Sequence, residues 1–434
     1  MPDIYEIVNA TQLNNDLEDV ADAIRAKSQG QDPLLFPSEF ISEIGSIPTG
    51  ASITGQTDIS VKAMGNIAES DTLFIVKELQ TIPFIDQIGK INGCAWNPAH
   101  TRLAIAHSGS PYITVYDTTT IPYTKLVNPA SLTGGTAYGC AWSPDGTRLA
   151  VAHYYNPCIT VYDTTTTPYT KLSVIPANLA GQGNGCAWSP DGTRLAVAHS
   201  NSPRITVYDT TTTPYTVLSN PGTLPAGNGY SCAWSPNGER LAVAHGTSPY
   251  ITVYNTTTTP YTKLTNPSTL PGGTGNGCAW SPDGTRLAVA HISSPYLTIY
   301  DTTATPYTKL SNPSPTPGGI GHSCSWNTDG TRLAVAHEST PFYSVYNTTS
   351  TPYSRVTTRD TIPPSAGYGC AWGTNELAIV HEGGAGRTIY NWYGPDMAGK
   401  AENKAALNTG FCYGYAKSSI LSGSTGTAAM LFET

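Results

Sequence analysis

The sequence predicts a mainly β fold: a seven-bladed β-propeller of four-stranded antiparallel blades, with a small N-terminal α-helical anchor and a small split β domain. Three observations predict it. Cys94, Cys140, Cys186, Cys232, Cys278, Cys324 and Cys370 stand 46 residues apart at every step, and a Trp follows each of them two positions later. A fixed period of this size over most of a chain marks a repeat architecture. Each unit also holds four short β-prone runs between turn residues, and four antiparallel strands per ~40–45 residues make a propeller blade. Finally, the periodic part stops short of both ends, where the pattern changes to helical spacing and to Gly-punctuated strands.

Taken in order, 11–27 reads as an amphipathic helix with Leu13, Leu17, Val20, Ala21 and Ile24 on one face, capped by Thr11. Asp32-Pro33 interrupts it, and Ser38 opens a second short helix with Phe40, Ile41 and Ile44 inward. Two such helices bury too little surface to stand alone. Residues 1–50 are therefore expected to be an anchor that oligomerises or joins a larger assembly. Residues 51–80 and 405–434 both read as short strands with Gly turns, the expected halves of the split β domain. The propeller is assigned to 81–393 and a return linker to 394–404.

Within one unit, strands are expected at 184–189, 194–199, 205–208 and 214–218. Pro190-Asp191-Gly192 supplies the first turn, and Asp209-Thr210-Thr211 supplies the third through side-chain bonds to backbone. Pro214 suits an outer edge strand. The last unit lacks this fourth strand. Thr81-Ile82-Pro83-Phe84 matches Thr120-Ile121-Pro122-Tyr123, so 81–88 is expected to close the seventh blade and tie the ring shut.

The Ser-Pro-Asp-Gly turn and the aromatic-Asp pairs Tyr116-Asp117, Tyr162-Asp163 and Tyr208-Asp209 resemble those of WD-repeat and related propeller families. The chain departs from the WD pattern in having Tyr for the usual Trp and no Gly-His pair opening the blade. A second resemblance lies in 17–44. The run Leu17-Glu18-Asp19-Val20-Ala21-Asp22-Ala23-Ile24-Arg25-Ala26-Lys27, with Asp32-Pro33-Leu34-Leu35-Phe36-Pro37 following, is similar to N-terminal segments of tail, fibre and other virion proteins of phages infecting Gram-positive bacteria. The two ends, with Val61-Lys62-Ala63-Met64-Gly65 and Tyr413-Gly414-Tyr415, resemble halves of a small β domain of phage capsid- and tail-associated proteins. These resemblances imply a virion protein made in the host cytoplasm, with other virion proteins as partners through its ends, and a homo-oligomer.

Composition narrows the function further. A net charge of −8 argues against a nucleic-acid groove. The start, Met1-Pro2-Asp3-Ile4-Tyr5, lacks the regions of a signal peptide, and no apolar run reaches the ~18 residues of a membrane span. Seven of the nine cysteines occupy one strand position on different blades, where they read as small buried hydrophobes. The His107, His153, His199, His245, His291, His337 and His381 ring gives one His per blade, too widely spaced to share a metal, and a bond to the adjacent blade is expected instead. Asp117, Asp163, Asp209 and Asp301 alternate with Asn255, Asn347 and Asn391 at one position, so charge is dispensable there. Arg102 and its equivalents read as structural pairs.

Catalysis needs an asymmetric cluster of differently tuned groups, and repetition supplies near-equal copies. Glu239, Glu338, Glu376 and Glu382 form no pair visible in the sequence. No enzyme, catalytic residue, cofactor or metal site is expected. Strand order puts the drifting loops, from Ser108-Gly109-Ser110 to Glu338-Ser339-Thr340, on one upper face, with both ends of the propeller segment leaving from the lower one. The candidate ligand residues form two rings there. Asn92, Tyr138, Asn184, Tyr230, Asn276, His322 and Tyr368 precede each Cys at the channel mouth, where amides and aromatic faces suit sugars. Tyr112, Arg204, Tyr250, Tyr296 and Phe342 follow each loop Pro, with Cys158 at the same position. Three functions remain open: adhesion to a host-surface glycan or protein, a purely structural decoration of the particle, and an intracellular WD-type interaction scaffold.

Overall fold

The computed structural model describes residues 89–382 apart from 120–122, 176–178, 180, 357–362 and 375, together with strand backbones at 57–61, 72–79, 387–392, 401–403, 412–415 and 432–433. The helices expected within 1–50 and the strand expected at 81–88 lie outside the described residues. The chain divides into two units, Met1–Ile82 with Lys404–Thr434 and Pro83–Asn403. In the first, Thr57–Val61, Thr72–Leu79, Cys412–Tyr415 and Phe432–Glu433 pair antiparallel in that order, so both ends of the chain contribute to one sheet.

The second unit is a β-propeller of four-stranded antiparallel blades. Blade three shows the build: Gly183–Trp188, Arg194–His199, Ile205–Asp209 and Thr216–Val217, each pairing with the next. The fourth strand is only two residues long, shorter than the expected 214–218, because Pro214 has no N–H to donate to a ladder. The first turn is held by its own side chains. Ser189 Oγ donates to Asp191 Oδ1 at 2.5 Å, and the same oxygen accepts from Thr193 N at 3.0 Å. Gly192 sits at φ +71°, a left-handed conformation that a side chain would strain.

The third turn works in the same way. Asp209 Oδ1 accepts from Thr211 N at 2.9 Å and from Thr211 Oγ1 at 2.6 Å. Asn255 makes the equivalent bonds at 3.0 and 2.8 Å without a charge. Asp209→Asn is therefore expected to shift stability by less than about 0.5 kcal/mol, whereas Asp209→Ala, which leaves the turn amide unpaired by protein, costs about 1 kcal/mol. Urea denaturation of the two variants checks this, and equal losses would refute the shared-turn account.

Blades stack by a large-to-small fit. The second strand reads Leu195-Ala196-Val197-Ala198, and all four are fully buried. Alternation sends Leu195 and Val197 to one face of the blade and the alanines to the other. On the large face, Trp188, Leu195, Val197, Tyr208 and Tyr215 form a cluster with Ala150, Ala152, Ile159 and Val161 of blade two. On the small face, Ala196, Ala198, Ile205 and Val207 receive Trp234, Leu241 and Tyr254 of blade four. Small residues on one side make room for an indole and two phenols from the next. Polar atoms are satisfied across the same junction: Trp188 Nε1 donates to Ala141 O at 3.2 Å, and Arg148 Nη1 donates to Tyr215 OH at 2.7 Å.

The expectation of seven blades, the seventh shared between the two ends of the propeller segment and closed by 81–88, is corrected: six blades are built alike, and the outer strand of the remaining sheet is Ala401–Asn403. Six blades, with first strands from Ile91–Trp96 to Gly321–Trp326, each take all four strands from one unit. The remaining sheet pairs Gly367–Trp372, Glu376–His381, Arg387–Trp392 and Ala401–Asn403. Its outer strand falls inside the stretch assigned to the return linker, so 401–403 belongs to the propeller. The physical reason is local. After Asn391 the chain lacks the Thr-Thr-Thr-Pro-Tyr run that turns the other units, and the strand that pairs there begins only at Ala401. This sheet meets blade one through Trp96 Nε1, which donates to Ala371 O at 3.2 Å, and through Ala378 and Val380 packed with Ile91, Trp96 and Leu103.

Each first strand also carries a bulge, which the repeat pattern does not reveal. In blade three the register shifts between Gly183 and Gly185. A Cβ on Gly183 would stand 2.2 Å from Cys158 O, so glycine lets the backbone of blade two approach this strand.

Candidate functional site: the variable face

The expected sidedness holds within the propeller. Each second-to-third loop pairs with the segment arriving from the preceding blade, as in Tyr154 N to Thr136 O at 3.0 Å, Ser200 N to Gln182 O at 2.9 Å and Ile292 N to Thr274 O at 3.1 Å. The two kinds of turn form the other face, joined by bonds such as Thr164 Oγ1 to Gly146 O at 2.7 Å.

The repeated polar side chains are used by the scaffold. The His ring is buried, and six of its members, from His107 to His337, bond through Nε2 within their own blade, not to the adjacent one as expected: His245 Nε2 meets Thr252 Oγ1 at 2.9 Å, and His153 and His291 make the same contact with Thr160 and Thr298. Removal from water holds His153, His245, His291 and His337 down at about 4, so each is neutral at pH 7. The repeated cysteines are free thiols whose sulfurs face the preceding blade, as in Cys186 Sγ to Ala150 O at 3.7 Å. Burial pushes Cys140, Cys278 and Cys370 up to about 12. No group of His, Cys, Asp and Glu among the described residues is arranged to hold a metal.

The channel-mouth ring does not act as a set of equals. Asn92, Asn184 and Asn276 each donate Nδ2 to the residue opening the next blade: Ala137 O at 2.8 Å, Gly229 O at 2.7 Å and Gly321 O at 3.0 Å. These three are latches joining blade one to two, three to four and five to six. Tyr138 is half-buried, and burial followed by the nearby Tyr154 raises its phenol pKa. Tyr230 is exposed.

His322 and Tyr368 belong to a charged group at the closing sheet. His322 Nε2 lies 3.1 Å from Glu338 Oε1, and its ring is tilted against Tyr368 at 4.8 Å between centroids. Tyr368 OH donates to Glu382 Oε2 at 3.1 Å, and Lys90 Nζ stands 3.9 Å from the Tyr368 ring centre. Burial lowers the His322 pKa even though Glu338 pulls it upward. Glu338 and Glu382, solitary in the sequence, are thus each joined to a ring residue. Lys90 carries no sequence signal, because it precedes the first full repeat.

The second ring has another basis. Tyr112, Cys158, Arg204, Tyr250, Tyr296 and Phe342 all adopt left-handed backbone, with φ between 65 and 71°. Tyr250 N donates to Thr247 O and Tyr250 O accepts from His245 N, both at 2.9 Å, and the same pair of bonds recurs at Tyr296 and Phe342. The position is therefore a structural bend. The side chains diverge from there: Cys158 is buried, Arg204 Nη1 donates to Pro225 O at 3.0 Å, and the aromatic members are half-buried.

The residues that stand out of this face belong to neither ring in the main. Tyr154 is 48% exposed, Tyr155 64% and Ile292 41%, with Tyr230 at 39%. In the sequence, Tyr154 and Tyr155 show only as one drifting loop among six.

No family model matches the chain, and no curated protein matches it in sequence. Among solved structures, hydrazine synthase of Kuenenia stuttgartiensis is similar at 14% identity with a TM-score of 0.56, covering 72% of this chain and 98% of that one. The β-propeller domain of Cps50 (Swd1) from Myceliophteria thermophila is similar at 13% identity with a TM-score of 0.54, covering 71% of this chain and 99% of that one. At such identities the likeness concerns architecture alone, and it places this chain among the β-propellers.

Proposed function

We propose that the chain is a phage virion protein that displays its propeller for adhesion to a glycan or protein of the host surface. One observation carries the binding part: the side chains repeated in every unit are spent on scaffold bonds, while those that differ between units gather on one face, several of them exposed. A surface that varies over a constant frame is suited to recognition. The resemblance of 17–44 to phage virion segments supports the setting. In this reading 1–50 and the split β domain, at 51–80 and 405–434, hold the chain to other virion proteins or to further copies of itself. The closing sheet serves as the seventh blade, and the protein resides on the virion.

The test is binding of the labelled full chain to isolated Gram-positive cell walls. Wild type is expected to bind, and replacing 154–156, 200–202 and 292–294 together with Gly-Ser loops is expected to abolish binding while the melting temperature holds. A chain that binds no wall but sediments with virion proteins is a structural decoration, and the adhesion reading is then wrong.

A further inference from the structure

We propose that Tyr154 and Tyr155, with Tyr138 beside them, form a platform for a neutral glycan on the outer loop of blade two, against the segment that enters that blade. The proposal rests on the reading that the variable face binds, and it names the ligand class taken there.

The two rings are exposed yet fixed. Tyr155 N donates to Gly134 O at 3.1 Å and Tyr154 N to Thr136 O at 3.0 Å, so the loop is tied along its length. The Tyr155 ring lies over Gly135, where a Cβ would stand 2.6 Å from its Cδ2, and Gly135 takes φ +117°. Glycine is thus required for the ring to rest there. Tyr154 meets Tyr155 edge to face, with centroids 4.8 Å apart and planes at 83°. Two rings at right angles make a corner whose shape is set before any ligand arrives, which reduces the ordering cost of binding.

Chemistry around the corner selects the class. The described loop segments 133–138, 153–158, 181–184 and 199–203 contain no Asp, Glu, Lys or Arg. The phenol hydroxyls of Tyr154 and Tyr155 and the amide of Asn156, in the same loop, supply polar groups without charge. A charged ligand would lose hydration here and find no counter-ion within these segments, the Lys171 charge felt by His153 coming from the fourth strand of the blade. A sugar ring offers C–H groups to an aromatic face and hydroxyls to phenols and amides, all without net charge. Two exposed rings match one or two sugar units and fall well short of a protein interface of ~800 Å² per partner. The opposite sector, with Lys90, His322, Glu338 and Glu382, lacks this neutrality.

Saturation-transfer NMR tests the proposal on the full chain, with neutral tri- to hexasaccharides of glucose, galactose, mannose and N-acetylglucosamine, and with polyglycerol phosphate and hyaluronate as anionic probes. Transfer is expected to the ring protons of at least one neutral series. Y154A/Y155A should weaken that binding at least about fivefold, the lower end of the ~1–3 kcal/mol of aromatic stacking converted to affinity, with an unchanged melting temperature. H322Q/E338Q should leave it as in wild type. Absence of any neutral ligand, capture of the anionic polymers alone, or binding that survives Y154A/Y155A overturns the platform. Cell-wall binding that survives Y154A/Y155A removes the platform and leaves adhesion standing. Neutral-sugar binding that needs both tyrosines, in a chain that ignores cell walls, does the reverse.

Discussion

Lowering the pH from 7.5 to 5 is expected to unfold this protein while its carboxylates are still ionised. His153, His245, His291 and His337 are buried, each bonded to a hydroxyl of the neighbouring strand, and burial keeps each neutral down to about pH 4. In the unfolded chain the same groups take up a proton near pH 6.5. Above that value both states are neutral and the histidines add no pH dependence. Between about 6.5 and 4 the unfolded chain holds more protons, so stability falls as pH falls. Each imidazole contributes a slope of ~1.4 kcal/mol per pH unit, and four together give ~5 kcal/mol per unit, against a total stability of ~5–15 kcal/mol for a typical fold. Thermal melts across this range should show a plateau above pH 7, a steep fall below 6.5 and loss of the folded state near pH 5. His245→Gln should flatten the slope by ~1.4 kcal/mol per pH unit, one imidazole's share, whatever it does to stability at pH 7. A melting temperature that stays level to pH 5 would mean that the imidazoles are reached by water.

The second large effect is expected at the junctions between blades. Trp188 is 7% exposed, stands edge-on to Tyr215 with centroids 6.4 Å apart, and fills the small face of blade two. Trp188→Ala removes that ring and the bond to Ala141 O, at an expected cost of about 3–5 kcal/mol. Guanidinium unfolding measures it. A loss under about 1 kcal/mol would place the indole outside the junction.

Much of this scaffold is legible in the amino-acid order alone. The 46-residue step marks the repeat, Ser-Pro-Asp-Gly marks the first turn, and the exchange of Asp for Asn at 209 and 255 marks a turn that needs no charge. These are local features, decided by residues within a few positions of one another. What escapes a linear reading depends on partners distant in the chain. The strand completing the last sheet is Ala401–Asn403, which has no repeat signature. The partner of His107, His153, His199, His245, His291 and His337 is a hydroxyl seven residues later in the same blade, although strand neighbours and blade neighbours look alike in a periodic text. The candidate ligand rings follow from periodicity, and periodicity selects what the frame reuses. Asn92, Asn184 and Asn276 recur in alternate units and serve as latches, and the exposed Tyr154 and Tyr155 stand outside both rings because only one unit has them.

The large-to-small fit has a consequence for how such a chain can change. Every junction from blade one to blade six presents the same indole and phenols to the same alanines, so the apolar seam is alike at each step even where the Asn latches differ. In-register exchange of one unit for another, by recombination between such similar stretches of gene, keeps the apolar seam and rearranges the loops and the latches. Such a molecule can shuffle its outward surface without re-solving its interior.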